Sequence, residues 1–266
     1  MTLNHGSAAG EHLRLNWATV VFFASVHAVA LLAPWCFSWS ALGLILFLHW
    51  LFGSIGICLG YHRLLSHRSF QVPPWLEYAI ALIGAAALQG GPIFWVAGHR
   101  LHHAYTEDEA KDPYSARKGF WWSHMLWIFY PRPEFFNYEQ YKRFAPDLAR
   151  DRFYRWLNRY FLLLQIPLAL LLYALGGWSF VVYGVFVRAV LLWHTTWMIN
   201  SVTHLWGIAV FKWRTIPVIY GGQQISLMGK GGTITTMPTP MWRKRAGVGG
   251  SWMLPGGPSG YSSRSD

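Results

Sequence analysis

Charged side chains are scarce in this chain. Only 12% of its 266 residues are Asp, Glu, Lys or Arg, while 53% are hydrophobic and 18% are aromatic. A typical soluble domain has about twice that share of charge, roughly a quarter of its residues. The shortage argues against a soluble domain and predicts an integral protein of the lipid bilayer.

Acidic residues are especially few: 11 Asp and Glu stand against 22 Lys and Arg, which gives a formal net charge of +11. Such an excess can indicate nucleic-acid binding. However, 13 of the basic residues lie within residues 61–160, together with nine of the acidic ones. This mixture is typical of a polar region beside a membrane, so we expect no nucleic-acid partner.

Cysteine is nearly absent. The two cysteines, Cys36 and Cys58, form no CxxC motif and lie at or inside apolar segments. The sequence therefore predicts no disulfide framework, and we expect both residues to be buried structural thiols.

Against these absences stand long apolar runs. Crossing a bilayer as a helix takes about 20 apolar residues. Four candidate runs are Trp17–Trp35, Trp39–Gly60, Tyr160–Leu175 and Trp178–Ile199. Turns at residues 36–38 and at Gly176–Gly177 would fold them into two hairpins, which predicts an all-α integral membrane protein with about four transmembrane helices.

Charge predicts the orientation of these helices. Both short turns lack Lys and Arg, whereas residues 61–159 carry 13 of them, so this region is expected to form a cytoplasmic helical cap. Within it, the apolar segment Trp75–Ala97 is interrupted by Gln89–Pro92 and is expected to return to the side that it left. The Trp-rich segment Phe120–Tyr130 is too short to cross and predicts an interfacial helix. Arg188, inside the last run, should have a polar partner.

Histidine is the residue that the chain concentrates. Five of its 12 histidines fall in two short clusters, the first box (residues 61–67) and the second box (residues 98–103). These histidines are His62 and His67 in the first box and His99, His102 and His103 in the second. Neutral imidazole is a ligand for iron, copper, zinc or nickel near pH 7, so the boxes predict a metal centre.

Helical spacing predicts how these side chains are arranged. The histidines of the second box stand at i, i+3 and i+4 and would share about one helix face. The two histidines of the first box are five residues apart, about 140° around an α-helix, which suits two metals or two sides of one site. Near the end of the last apolar run, Asn200 and His204 stand at i and i+4 and would add ligands from a third direction.

Other metal chemistries fit less well. Zinc hydrolysis calls for a general base such as the Glu of an HExxH helix, and neither box contains Glu. Haem held by two of His27, His49 and His194 would leave the boxes unexplained. We interpret His27 and His49 as core residues with a hydrogen-bond partner, and His124 as a surface or interface residue.

Taken together, the motifs carry a family resemblance. The matching segments are Gly60–Arg68, Gly98–His103 with Tyr105-Thr106 and Asp112-Pro113, Gly119–His124, and Asn200-Ser201 with His204–Gly207. Over roughly residues 17–207, after a polar tail at residues 1–16, the chain resembles the membrane fatty-acid desaturases of the stearoyl, or delta-9, type.

The resemblance implies a non-haem diiron centre that uses O2 to remove two hydrogens from a saturated acyl chain and leave a cis double bond. The implied substrate is an acyl-CoA or an acyl-lipid, and the implied electron donor is ferredoxin or cytochrome b5. By resemblance, the iron ligands are His62, His67, His99, His102, His103 and His204, with Asn200 acting through a water and Asp112 supporting a ligand. Two alternatives stay open: a related histidine-box hydroxylase or ketolase, and a non-catalytic membrane protein that binds metal or haem.

The chain departs from the family after Gly207. The family has a third box of the form HxxHH, but no histidine follows His204 here. Residues 208–266 are rich in Gly, Pro, Ser and Thr, and we interpret them as a disordered or out-of-frame tail. The last two bases of a His codon, AC or AT, are also the first two bases of Thr codons and of Ile or Met codons, so residues 229–240 read one base earlier can encode GEGWHNHHHAYP. We hypothesise a single-base deletion near Gly207, which would remove up to three ligands and leave weak iron binding and little activity.

Overall fold

The structure is a computed structural model that describes residues 14–206 apart from residues 107, 134 and 136, and the backbone of residues 208–209 and 218–219. Residues 14–206 are helical with short connections, which confirms the predicted all-α class. Beyond them, Ile208–Ala209 pairs antiparallel with Val218–Ile219. The tails predicted at residues 1–16 and 208–266 lie almost wholly outside the described residues.

Ten helices make up this part of the chain. They are α1 (Trp17–Ala30), α2 (Trp39–Ser66), α3 (Pro74–Ala86), α4 (Pro92–Tyr105), α5 (Trp122–Leu126 continuing into Trp127–Phe129), α6 (Tyr138–Phe144), α7 (Pro146–Arg150), α8 (Arg152–Tyr160), α9 (Gln165–Val181) and α10 (Arg188–Trp206). Short 3-10 turns lie at Ala33–Cys36, Ala116–Lys118 and Phe161–Leu164. A π-helical stretch, Val182–Val187, leads into α10.

Helix α2 changes its winding along its length. It is α-helical over Trp39–His49 and π-helical over Trp50–Ser66. Most π-helices are single turns, often at functional sites, so 17 residues of it in one stretch is unusual. Helix α3 packs closely on this stretch, because a Cβ added to Gly56 would lie 2.9 Å from the Cα of Gly84. Gly56 thus allows the two helices to pack closely, as small residues do in membrane proteins.

The apolar segment between the two boxes is broken, as its Gln89–Pro92 interruption predicted. Helix α3 ends at Ala86 and α4 starts at Pro92, which suits a first helical turn. Between them Gly90 takes a φ of +105°, a conformation that glycine adopts at low cost. The Asn158 side chain of α8 accepts a hydrogen bond from the Phe94 amide at 2.9 Å and so fixes the start of α4.

The second predicted hairpin turns at Gly176–Gly177, where both residues leave helical geometry and Gly177 has a φ of +62°. The two arms pack directly, since a Cβ on Gly184 would lie 2.5 Å from Leu172. Arg188 is fully buried and has the expected polar partner, because it donates to the Gln165 side-chain oxygen at 3.2 Å. It also lies 4.6 Å from the ring of Phe52.

The exterior of the helices is strongly apolar. Leu31, Trp35 and Trp39 are 73%, 81% and 79% exposed. Two helical stretches of the described chain are long and apolar enough to cross a membrane, Trp39–Ser66 and Arg152–Leu205, the second of which contains the Gly176–Gly177 turn. Cys36 and Cys58 form no disulfide with each other, as predicted, and both are half-buried rather than buried.

Candidate metal centre

Four histidines from the two boxes converge on one point. The ligand nitrogens of His62, His67, His99 and His103 all lie within 4.8 Å of one another. The Nε2 atoms of His67 and His103 lie 3.1 and 3.0 Å from Nε2 of His99. The α3–α4 segment therefore brings the two boxes that flank it together. This agrees with the expectation that the segment returns to the side that it left.

The π-helical winding of α2 explains how the first box contributes both of its histidines. The amide of His67 donates to the carbonyl of His62 at 3.1 Å, an i→i+5 hydrogen bond. Such a turn places residues five apart nearly above one another, and the two rings have centres 4.6 Å apart. The predicted separation of about 140° assumed α-helical winding and was wrong for that reason.

Burial keeps these imidazoles ready to bind metal. It lowers the pKa of His67 to about 4, with help from the charge of Arg100, and that of His103 to about 2, with help from the neighbouring imidazoles. The pKa of His99 is also lowered far below its ordinary value, mainly by burial. A neutral imidazole has a free nitrogen lone pair at physiological pH, as a metal ligand must.

His102 belongs to a different part of the centre. Its Nδ1 lies 2.8 Å from Oδ2 of Asp112, a fully buried carboxylate, and its ring stacks on Tyr114 with centres 4.5 Å apart. A carboxylate on one nitrogen fixes the tautomer and aims the other nitrogen outward. The expected supporting position of Asp112 agrees with this geometry. His102 lies outside the convergent group of four, although its ring centre is 5.6 Å from that of His103.

Helix α10 brings His204 to His102, with ring centres 5.3 Å apart. Asn200 lies one turn earlier on the same helix. His102 and His204 form a second pair of imidazoles beside the group of four. The third box predicted by the family resemblance would fall within residues outside the described part of the chain.

Arg100, which the sequence reasoning missed, ties the two boxes together. It is buried, and it donates to the carbonyls of Leu65 at 2.7 Å and Ser66 at 3.3 Å, at the end of α2. Its two terminal nitrogens, Nη1 and Nη2, also donate to the two carboxylate oxygens of Asp147, at 2.8 and 2.9 Å. Because Arg100 follows His99 directly, its bonds to the Leu65 and Ser66 carbonyls hold the second box against the end of the first, and the bidentate pair with Asp147 fixes the guanidinium there.

Three further histidines form a hydrogen-bonded row outside the boxes. His27 is partnered, as expected of a core histidine, and contacts His194. His194 in turn contacts His124, which is only 5% exposed. His124 was expected to be a surface or interface residue; it does not lie at the protein surface, because α10 covers it. Spacing could not have shown this row, because its members come from three separate helices.

The residues present fit a transition-metal centre. Four neutral imidazoles converge, and a fifth, His102, is oriented by a carboxylate as metal-bound histidines commonly are. Imidazole suits iron, copper, zinc and nickel, whereas magnesium and calcium prefer oxygen ligands. The arrangement can therefore hold a redox metal inside a helical, apolar protein.

Comparison with known proteins agrees with this donor set. The family model of the fatty acid desaturases matches residues 37–232. The chain is 74% identical over 232 residues to an sn-2 palmitoyl-lipid 9-desaturase of Nostoc sp., with 83% of this chain and 81% of the relative covered. It is 48% identical to an sn-1 stearoyl-lipid 9-desaturase of Anabaena variabilis, covering 74% and 72%. A delta-9 acyl-lipid desaturase of Arabidopsis thaliana is 44% identical, covering 75% and 64%.

Proposed function

The chain belongs to the fatty acid desaturase family, and from this premise we propose that it inserts a cis double bond at the delta-9 position of a glycerolipid acyl chain. The observation that supports this chemistry best is the convergence of four half-buried, neutral imidazoles from the two boxes. A desaturase needs an oxidant strong enough to attack an unactivated C–H bond, and only a cofactor supplies one.

The centre would hold two non-haem irons. We assign His62, His67, His99 and His103 to the convergent group and His102 and His204 to a neighbouring position. Asn200 would act there through a water. When bound, the irons would supply the oxidising power that O2 and two electrons provide. Asp112 holds the tautomer of His102, and Arg100 keeps the two boxes in register.

The chain is a membrane protein, and we propose that it crosses the bilayer four times in two hairpins. The π-helical α2 and the α9–α10 hairpin would span, and α1 would pair with α2. The α3–α4 segment would re-enter without crossing, so that both boxes lie on the cytoplasmic side. The asymmetry of Lys and Arg between residues 61–159 and the short turns supports this orientation.

The relatives suggest the substrate class. All three are named as acting on lipid-bound acyl chains at position 9, and the 74% identical one is named for the sn-2 palmitoyl chain. We therefore propose a palmitoyl chain of a membrane glycerolipid as the substrate. Electrons would come from a separate ferredoxin or cytochrome b5.

Expression in a host that lacks unsaturated lipids tests the function. The full chain is compared with a version whose frame is restored after Gly207 and with a His62→Ala variant of that version. We expect cis-delta-9 fatty acids at sn-2 from the restored chain, little from the chain as written and none from the variant. Hydroxylated products, or no new double bond from the restored chain, would overturn the proposal.

A further inference from the structure

Three histidines and a serine form an unbroken row of polar contacts, which we call the histidine chain. Nε2 of His27 lies 3.2 Å from Nε2 of His194, and Nδ1 of His194 lies 3.0 Å from Nε2 of His124. Nδ1 of His124 lies 3.0 Å from Oγ of Ser201. His194 thus turns a different nitrogen to each neighbour. A shared metal would need all three lone pairs aimed at one point, so the row is built for hydrogen bonds.

The row has more hydrogen-bond contacts than its neutral groups have hydrogens. At one end Nδ1 of His27 lies 2.7 Å from the carbonyl of Phe23, and at the other Oγ of Ser201 donates to the carbonyl of Trp197 at 3.0 Å. With the three contacts inside the row, this makes five contacts that each need one hydrogen. Three neutral imidazoles and one hydroxyl supply only four.

One excess proton completes the row. Wherever it sits, one imidazole becomes a cation and donates from both nitrogens, while the hydroxyl of Ser201 donates to the Trp197 carbonyl. Because both ends accept only, neither carbonyl can pass a proton on. The row therefore stores one proton, and the hydroxyl of Ser201 is where a proton can enter or leave.

Burial and the neighbouring His194 lower the pKa of His124, but the aromatic rings that surround the row counter this effect. The ring of His124 stacks on Phe120 with centres 5.3 Å apart and an interplanar angle of 13°. His27 lies 5.9 Å from Trp193, and His194 lies 5.2 Å from Trp197. A cation beside an aromatic ring is stabilised by the ring quadrupole. In the contacts described for these three histidines, the titratable groups that face them are one another, and no Asp, Glu, Lys or Arg appears among them.

We propose that the histidine chain is a proton store for the metal centre, loaded and emptied through Ser201. Ser201 is fully buried on α10, directly after Asn200 and less than one turn before His204. The proposal rests on the desaturase function. Forming one double bond breaks two C–H bonds and reduces O2 to two waters. Two electrons come from the acyl chain and two from the donor, and two protons must be supplied beyond the two hydrogens removed from the substrate.

The first test needs no enzyme activity. The full chain, labelled with nitrogen-15 histidine in lipid nanodiscs, is measured by solid-state NMR between about pH 5 and pH 8, where free histidines titrate. The key variant is Ser201→Ala, which removes no titratable group. It leaves three contacts in the row, and three neutral imidazoles supply the three hydrogens that these contacts need, so no excess proton is required. We expect one imidazolium signal per chain that this variant loses. His49→Gln, which changes a histidine outside the row, should keep it.

Two results would overturn the proposal in this experiment. The His194→Gln variant identifies the signals of the row, because they are the ones that it loses. The first contrary result is that these signals belong to neutral imidazoles at every pH. The other is a shift of these same signals on addition of Zn2+, which would make the row a metal site.

The second test measures desaturation by Ser201→Ala, in the full chain or, if residues 208–266 prove to be out of frame, in the restored chain. Positioned proton donors contribute on the order of 10²-fold or more, so a loss approaching that size is expected, steepest at high pH where protons are scarce. An unchanged rate of desaturation would overturn the proposal that the histidine chain supplies protons to the metal centre through Ser201. If no variant desaturates, the proposed function fails while the NMR result still decides whether the store exists.

Discussion

The amide of His67 donates a hydrogen bond to the carbonyl of His62 at 3.1 Å, and this one π-turn brings both imidazoles of the first box to the second box, where their rings lie 4.7 and 5.2 Å from that of His99. An α-helical turn would carry the rings about 140° apart. The same winding continues back to Trp50, beneath the contact between α2 and α3. The metal centre thus depends on a helix geometry that neighbouring helices must hold in place, since α-helical winding is ordinarily the favoured form.

Replacing Gly56 tests this dependence. A Cβ there would meet the Gly84 backbone at 2.9 Å, so Gly56→Ala should force α2 and α3 apart. We expect a loss of roughly 1–3 kcal/mol in the free energy of unfolding, the usual cost of overpacking, with fewer irons retained per chain. Gly43→Ala in the same helix is the matched control, because nothing lies within 4 Å of that site. Equal behaviour of the two variants would contradict this account of the packing.

Replacing Arg100 tests whether one side chain keeps the boxes in register. Lysine retains the charge but cannot reach the Leu65 and Ser66 carbonyls and both oxygens of Asp147 together. Arg100→Lys should lower stability by about 3 kcal/mol, since at least two charge-assisted hydrogen bonds of about 1.5–3 kcal/mol each are lost. Thermal unfolding and bound iron are measured together. Arg68→Lys alters a half-exposed ion pair with Asp147 and should cost far less; a comparable loss would refute the special role of Arg100.

Replacing Asp112 separates support of a ligand from ligation itself. Asp112→Asn keeps the shape but removes the charge that holds the tautomer of His102. Such changes typically weaken metal binding by about 10–100-fold, so in the frame-restored chain one iron should be lost at low chelator concentration while the other stays. Asp108→Asn, on the exposed part of the same loop, is the control. Simultaneous loss of both irons would show that Asp112 stabilises the fold as a whole rather than orienting His102.

The sequence predicted the helices, the break at Gln89–Pro92 and the turn at Gly176–Gly177, because apolar length and glycine act locally. It also predicted that both boxes face one centre. It could not predict the angle between His62 and His67, because π-winding depends on packing against α3. Nor could it show that His102 lies outside the convergent group of four, since that depends on how Asp112, in a loop, holds its ring. Arg100 and His124 were missed because their partners come from distant helices.

The Arg100–Asp147 pair predicts a dependence of stability on pH. Burial opposes ionisation of Asp147, but hydrogen bonds and charge from Arg100 and Arg68 outweigh it and lower its pKa to about 2. An unfolded Asp has a pKa of about 3.9. The carboxylate therefore contributes its full stabilisation above about pH 4, and this is lost as the pH falls towards 2. Midpoints of unfolding from pH 6 downward should fall more steeply for the wild type than for Asp147→Asn. If the midpoints of the wild type and of Asp147→Asn fall in parallel, the pH dependence does not come from Asp147. Glu139→Gln changes an exposed pair with Lys142 and is the control, which should follow the wild type.

Iron stoichiometry tests the hypothesis of a lost reading frame. The convergent group of four histidines is complete within the described residues, whereas the pair of His102 and His204 would need the third box to complete its shell. The full chain should then retain about one iron, and the frame-restored chain two, since each iron needs several protein ligands in a fixed geometry. Metal analysis of both purified chains measures this, and Mössbauer spectra should show coupled irons only in the restored chain.

Resequencing the coding DNA is the independent check: if no frame downstream of the Gly207 codon encodes HxxHH, the deletion hypothesis fails. If the chain as written already holds two coupled irons, residues outside the third box complete the second position.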